Sequence, residues 1–464
     1  MAVLYLIACC IPTLWTGGRL AAVDYSDSAV VRLIHESRIA EDGLFFYGKR
    51  GTAYQFGPNI SAHGDCIAVV NGYTYVTWYR GGMERRNLML SRIRNNDPEA
   101  EWVTLSFPDR HIGYRGDSTL GDSHNTAAVA VSTIDSTVHL LYDMHAYDAR
   151  SFPQHYFNYR TTDAGAAFVP DSAFTLARFQ DKRPYLVEGQ DYSSTTYPGF
   201  LTDPEGRLIV NYRIGGSGQG EHQYAVYDTG GWTRTLTWAN GRIPLPDRYS
   251  VYGSLQIEQG KLHAGYSIRY RETDRYTLNS GLYYAYALPP YGADDWYDQE
   301  GSPIRTPITL PDALQVGDPG ADYGTTERPR SSSGPSFTVT DDGSLHFLTV
   351  VDGRPVHYWR AGKESVWQHA ADGAVPGGAK LVSHGNTLLA IRLVSGRIAV
   401  QAAPAGTNAW KTVYAHPGGP ELHHFRSVYQ QGHLYVYGQA RAGEDKRALH
   451  LQIFDLSEAV TGGI

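Results

Sequence analysis

The sequence predicts an all-β fold, a seven-bladed β-propeller with four-stranded antiparallel blades, and three observations carry that prediction. One turn-and-strand unit recurs seven times along the chain. Fifty glycines and 34 tyrosines in 464 residues suit many tight turns and many pleated, half-wet strands. Long apolar runs at helical period are scarce, which tells against an α/β fold.

The unit is a turn pair followed by alternating apolar positions. It reads NGYTYVTW from Asn71, DSTVHLLY from Asp135, EGRLIVNY from Glu205 and QGKLHAGY from Gln259. It continues as DGSLHFLT from Asp342, HGNTLLAI from His384 and QGHLYVYG from Gln431. Each is a hairpin signature, in which the turn sets register and the period of two buries one face. An apolar strand precedes each turn, as in CIAVVNG, and an aromatic-rich pair often follows, as in VHYWRAGKESVWQHA. About four strands per unit, repeated radially, is how a propeller protects its sheet edges. An irregular β-sandwich is the alternative, and seven similar hairpins weigh against it.

The late units are compact, whereas those between about residues 120 and 330 carry long insertions. Long irregular loops in a compact fold are usually functional, so the second, third and fourth blades are where chemistry is expected. TTDAGAAF from Thr161 resembles the aspartate box of sialidase-like and other BNR-repeat propellers, where an Asp orders backbone amides in a turn. It speaks to fold and not to activity.

Residues 1–22 form the one strongly apolar stretch, too short and too broken by Pro12 and Gly17-Gly18 to span a bilayer well. They read as a signal peptide with Ala21 and Ala22 near the cleavage point, although a basic n-region is missing. Leu6-Ile7-Ala8-Cys9 also resembles a lipoprotein cleavage box. The expectation is a secreted or periplasmic protein with one propeller domain over 23–464. After cleavage only Cys66 remains, so no internal disulfide or cysteine metal site is available, and Cys66 should be a buried core thiol. A formal charge of −7 argues against nucleic acid as a partner, and no polybasic run points to a membrane surface. A local basic cleft can still receive a polyanion.

The candidate site comes from comparing blades. GDSHNT places His124 just before the first strand of the second blade, and YDMHAYD places His145 just after the next one. In the third blade, STTYPGF puts Tyr197 at the first-strand entrance and VNYRIGG puts Arg213 at the end of the next strand. In the fourth, YSVYGS and YSIRYRE do the same for Tyr252 and Arg269. A loop histidine or surface tyrosine is ordinary when taken singly. Recurrence at equivalent positions is what collects them at one mouth.

Such a set suits β-elimination on a uronic-acid polysaccharide. An Arg offsets the carboxylate bidentately and acidifies the adjacent C–H, a His or an Arg-perturbed Tyr takes the proton, and a Tyr hydroxyl protonates the leaving oxygen. No metal is required, and a structural ion in a loop stays open. A glycoside hydrolase would need a carboxylate pair or a Tyr-Glu nucleophile, for which Asp122, Asp143, Asp148 and Glu188 are available. A sialidase would need a three-arginine clamp, and no early FRIP-like segment is present.

GDSHNT, YDMHAYD, STTYPGF and VNYRIGGSG, with the blade pattern from about residue 40, resemble the seven-bladed propeller ulvan lyases, especially polysaccharide lyase family 25 and more distantly family 24. The resemblance implies cleavage of ulvan, the sulfated rhamnose and uronic acid polysaccharide of green algae. It implies that Arg213 neutralises the uronate and that His124 and Tyr197 are base and acid, their division depending on the uronate epimer. His145 and Tyr252 would shape the site, with Tyr249 an alternative to Tyr252. Asn125, Arg269, Arg271 and His222 are candidates for holding substrate or its sulfate groups. A hydrolase and a non-catalytic carbohydrate-binding propeller are the competing readings, since one fold hosts all three.

Overall fold

The computed structural model describes residues 31–45, 61–243, 248–271, 279–324 and 334–457, leaving aside positions 83, 96, 363–364, 372, 374 and 376–377. The leader expected over 1–22 lies outside the described residues. Seven antiparallel sheets follow one another along the chain as propeller blades. Each predicted turn falls between the first and second strands of a blade: Ile67–Val70 and Tyr73–Tyr79, Ala127–Val131 and Val138–Tyr142, Thr195–Thr202 and Leu208–Gly216, Tyr249–Glu258 and Lys261–Tyr270. The series ends with Ser336–Val339 and Leu345–Val351, Lys380–His384 and Thr387–Val394, and Leu422–Gln430 and His433–Ala440. At Asn71-Gly72 and Gln431-Gly432 both turn residues have positive φ, the condition of the turn that matches strand twist, and glycine meets it without steric cost.

Four blades have four strands, the third and fourth have five, and the second has three. The second blade loses its outer strand to an insertion. After Tyr159–Thr161 the chain makes the aspartate-box turn, with Gly165 at φ 79. It then forms short 3-10 turns, Ala166–Phe168, Asp171–Ala173 and Leu176–Arg178, and touches the sheet edge again through isolated bridges at Phe179 and Arg183. Arg92, fully buried on the first blade, ties this insertion down through the carbonyls of Ala167 and Val169, both at 2.6 Å, and the Asp171 carboxylate at 2.9 Å. Asp163 itself is exposed, and its main-chain carbonyl, not its carboxylate, closes the turn by accepting from Ala166.

Ring closure comes from the N-terminus. Arg32–Leu44 is the outer strand of the seventh blade, antiparallel to Lys446–Asp455, with Arg32 facing Asp455 across a 2.9 Å ion pair. The core consists of apolar layers between adjacent blades, and in the second blade both AAVAV and VHLLY are buried throughout. Cys66 is 1% exposed in one such layer, and burial pushes its thiol up to about 12. No helix of the described residues is long and apolar enough to cross a membrane.

Because strands alternate in direction, the start of every first strand and the end of every second strand lie at the same end of a blade. That is why His124, His145, Tyr197, Arg213, Tyr252 and Arg269 share one face.

Candidate active site

The site is built on the approach to the second blade. Asp122 is fully buried, and its Oδ1 accepts from the backbone N–H of His124 at 3.0 Å, an Asx turn that fixes the loop. Both of its oxygens then hold imidazoles: Oδ1 accepts from His124 Nδ1 at 2.9 Å and Oδ2 from His145 Nδ1 at 2.5 Å. The two rings stack with centroids 4.0 Å apart and planes within 4°. One carboxylate therefore holds Nδ1 of both histidines and turns the Nε2 edge of each ring away from it. Burial alone would raise the Asp122 carboxyl, but the two imidazole hydrogen bonds and their charges outweigh it and hold it well below the usual carboxylate range. His124 is pushed below 6.5, first by burial and further by His145 and Arg213, with Asp122 opposing.

Asn125, a candidate for holding substrate, lies beneath the surface of the site. It is 1% exposed, and its Nδ2 donates to Asp143 Oδ1 at 2.9 Å and to the Tyr147 hydroxyl at 2.8 Å. It forms the floor under the histidines, since a buried amide must spend its hydrogen bonds inside the fold.

Tyr197 reaches the site through a β-bulge. Asn211 pairs with Gly199 and Arg213 with Thr196, so Tyr197 and Pro198 loop out of register. Pro198 has no N–H to give the ladder, and Tyr197 sits at φ 57, a strained backbone for a bulky residue. The result aims the ring between His124, at 5.3 Å between centroids, and the Arg213 guanidinium, 4.8 Å from the ring centre. The side chain remains 38% exposed. Burial of the ring by the cleft raises the hydroxyl pKa above 10, with Arg213 opposing.

Arg213 is 4% exposed and donates from Nη1 to the Tyr252 hydroxyl at 3.2 Å. The same hydroxyl accepts from Arg269 Nη1 at 3.3 Å and donates to Ser217 Oγ at 3.0 Å, while Arg269 lies 4.1 Å over the Tyr252 ring. Among the described residues neither Arg213 nor Arg269 has a carboxylate partner, and both are buried beside Tyr252. Tyr249, the alternative to Tyr252, is 1% exposed and donates to the Ile308 carbonyl at 2.6 Å, away from the cleft. His222 departs from expectation. Its Nε2 accepts from the Val251 N–H at 3.0 Å, and burial beside Arg213 depresses it to about 3, so it is a neutral bolt between the third and fourth blades and no cation for sulfate. Arg271 is exposed at the rim and bonded to Gln219.

The carboxylates a hydrolase would need are differently engaged. Asp122 is caged by the histidines, Asp143 is buried against Ile112 and Asn125, Asp148 caps the Ser151 N–H at 2.8 Å, and Glu188 lies exposed on a loop. Asp122, His124 and His145 have donor atoms within 4.8 Å of one another, close enough to hold a metal ion. The parallel stack works against it, because in-plane lone pairs of two stacked rings run side by side and do not converge on one point. Three contributors escaped the sequence reading: Asp122 as orienter, Ser217, and Gly220. A Cβ on Gly220 would lie 2.2 Å from Ser250 Oγ and 3.0 Å from Arg213 Cδ, so its bareness makes room for the arginine. The Asp-x-His spacing was the available signal for Asp122.

A model of BNR repeat-containing family members matches residues 73–371. The long isoform of ulvan lyase from Alteromonas sp. (strain LOR) is 33% identical over 498 residues, covering 96% of this chain and 49% of that protein. The chain thus spans about half the length of the long-isoform relatives it matches. The short isoform from the same strain is 31% identical over 487 residues, covering 93% of this chain and 91% of that one. Among solved structures, polysaccharide lyase Uly1 superposes with a TM-score of 0.85 at 30% identity, covering 92% of this chain and all of the other. A family 25 ulvan lyase superposes with a TM-score of 0.62 at 12% identity over 90% of this chain and 95% of its own, a likeness of fold alone. The seven-bladed ring and the extent of these matches agree: the chain belongs to the BNR-repeat propeller family of ulvan lyases.

Proposed function

We infer that the protein is a polysaccharide lyase that cleaves ulvan by β-elimination at its uronic acid residues. The observation that carries this reading is the pair of buried guanidiniums, Arg213 and Arg269, which have no carboxylate partner among the described residues, beside a histidine whose Nδ1 is held by a buried aspartate. The relatives named as ulvan lyases supply the substrate. Arg213 takes the uronate carboxylate, which lowers the cost of forming a carbanion at C5. His124 Nε2 removes the C5 proton, and the electron pair forms the C4–C5 double bond as the C4–O bond breaks. Tyr197, whose raised pKa keeps its hydroxyl protonated, donates the proton to the departing oxygen. His145 shares the Asp122 carboxylate and buttresses His124, while Tyr252 and Arg269 hold the acidic sugar from the fourth blade.

These residues meet every proton and charge demand of the step without a metal. An exported protein belongs to the same reading, because the polymer is outside the cell and residues 1–22 have the character of a leader. The test is incubation with ulvan, following the ultraviolet absorbance of the unsaturated uronate. New reducing ends without that absorbance would replace the lyase reading with hydrolysis, and binding without either product would replace it with a lectin.

A further inference from the structure

A cavity runs along the propeller axis. It has a volume of about 1040 Å³ and is walled by first strands, among them Val69, Val129, Leu201, Ile257, Val382 and Val428. The lining is about half polar: Asp203, Glu205 and Glu258 lie toward the far mouth, where first strands end, and three charged side chains gather toward the catalytic face, Asp65 of the first blade, Lys380 of the sixth and Arg426 of the seventh. Each makes one hydrogen bond to backbone. Asp65 Oδ2 accepts from Phe200 N at 2.5 Å, Arg426 Nε donates to the Gly64 carbonyl at 3.0 Å, and Lys380 Nζ donates to the Ser427 carbonyl. No ion pair joins them among the described residues, although each lies within the electrostatic reach of the others.

Enclosure is felt by all three. Burial lowers Lys380 to about 8, with Arg426 adding to the shift, and raises Asp65 to about 6. Two cationic side chains face one carboxylate here, so positive charge predominates at this end of the channel. Ser427 Oγ, on the same wall, is a buried hydroxyl with no hydrogen-bond partner. Uncompensated charge inside a protein is costly, and it is relieved by a counter-ion held at the same place.

We propose that the throat of the axial channel is a halide-binding site, with Arg426 and Lys380 as cationic ligands. A monovalent anion neutralises the cluster, whereas sulfate would reverse its charge. The site draws on blades one, six and seven and is independent of the substrate reading. A halide that binds the folded state at one site lowers the unfolding constant about tenfold for each tenfold rise in its concentration above the dissociation constant.

The experiment is thermal or urea unfolding of the whole protein in chloride, bromide and gluconate at fixed ionic strength. Wild type should gain stability with either halide over gluconate, and Lys380→Met should lose that dependence. Equal stability in all three salts, or an undiminished halide effect in K380M, would overturn the proposal. A bromide soak of wild-type crystals tests it without a variant: anomalous density between Arg426 and Lys380 is expected, and its absence there refutes the site.

Discussion

Replacing Asp122 with asparagine changes one atom type at the most heavily shared group of the site. The carboxylate accepts from His124 Nδ1 at 2.9 Å and His145 Nδ1 at 2.5 Å. An asparagine offers one acceptor oxygen, so it can satisfy a single Nδ1–H. Its amide faces the other ring and drives that imidazole to the opposite tautomer, with the proton on Nε2 where the basic lone pair was. Charge-assisted hydrogen bonds contribute about 1.5–3 kcal/mol each. Losing one and weakening the other costs about 3–4 kcal/mol, or roughly 10²- to 10³-fold in rate. The loss should fall on kcat, because Arg213 and Arg269 are untouched and continue to bind the uronate. The assay is the initial rate of unsaturated uronate formation across substrate concentrations, with circular dichroism confirming the fold. An Asp122→Asn enzyme with kcat within about threefold of wild type, or a loss confined to KM, would refute the orienting role.

Tyr197→Phe should abolish turnover while the fold holds, because the ring stays and only the proton donor goes. Arg213→Ala should do the same, with weakened binding in addition, and near-normal rates in either variant would remove the proposed mechanism. In the pH profile of kcat/KM, the acid limb should lie below 6.5, since His124 must be neutral and burial lowers its pKa, and Tyr197 should retain its proton to above 10. An acid limb above the ordinary histidine value would contradict the assignment of the base. Gly220→Ala should lower activity without contacting substrate, because the methyl collides with Ser250 and crowds Arg213. A crystal structure of that variant with Arg213 unmoved and normal kinetics would show the glycine to be incidental. Asp143 is raised to about 8 by burial, against the Ile112 and Asn125 bonds that favour its charge. The folded state thus holds this proton more tightly than the unfolded one, so its stability contribution is full below 3.8 and is lost as pH rises through about 8. Asp143→Asn should flatten the decline in urea stability over that window, and an unchanged decline would assign it elsewhere.

The hairpins were legible because each is local. A turn pair and a period of two lie within about fifteen residues, and all seven fell between first and second strands. Ring closure was not legible, because Arg32–Leu44 pairs with a strand more than 400 residues away and has no turn beside it to announce the partner. Blade-to-blade comparison brought His124, His145, Tyr197, Arg213, Tyr252 and Arg269 together, since it uses only strand direction. It does not convey that the side chains of Asn125 and His222 turn inward to bond the fold. Position along a strand says which end a residue occupies, but whether a polar side chain is taken up internally depends on neighbours from other blades. For His222 that neighbour is the Val251 N–H, in the next blade.

The same limit explains why the positions least comfortable in the fold surround the cleft. Tyr197 holds a left-handed backbone in a bulge before a proline, and Asp143 has φ 56 with its carboxyl buried. Arg213 and Arg269 keep guanidiniums in the interior without a carboxylate partner among the described residues. Each departs from what would stabilise a propeller alone, and natural chains concentrate such departures where function requires them. A repeat needs no tyrosine at φ 57, because a shorter strand entrance would close the blade with less strain. The bulge earns its place only by carrying the Tyr197 ring between His124 and Arg213. If so, deleting Pro198 to restore the ladder should leave the protein at least as stable in urea while its lyase activity disappears. An enzyme that loses stability and keeps its rate would place the bulge in the folding of the blade and not in the chemistry.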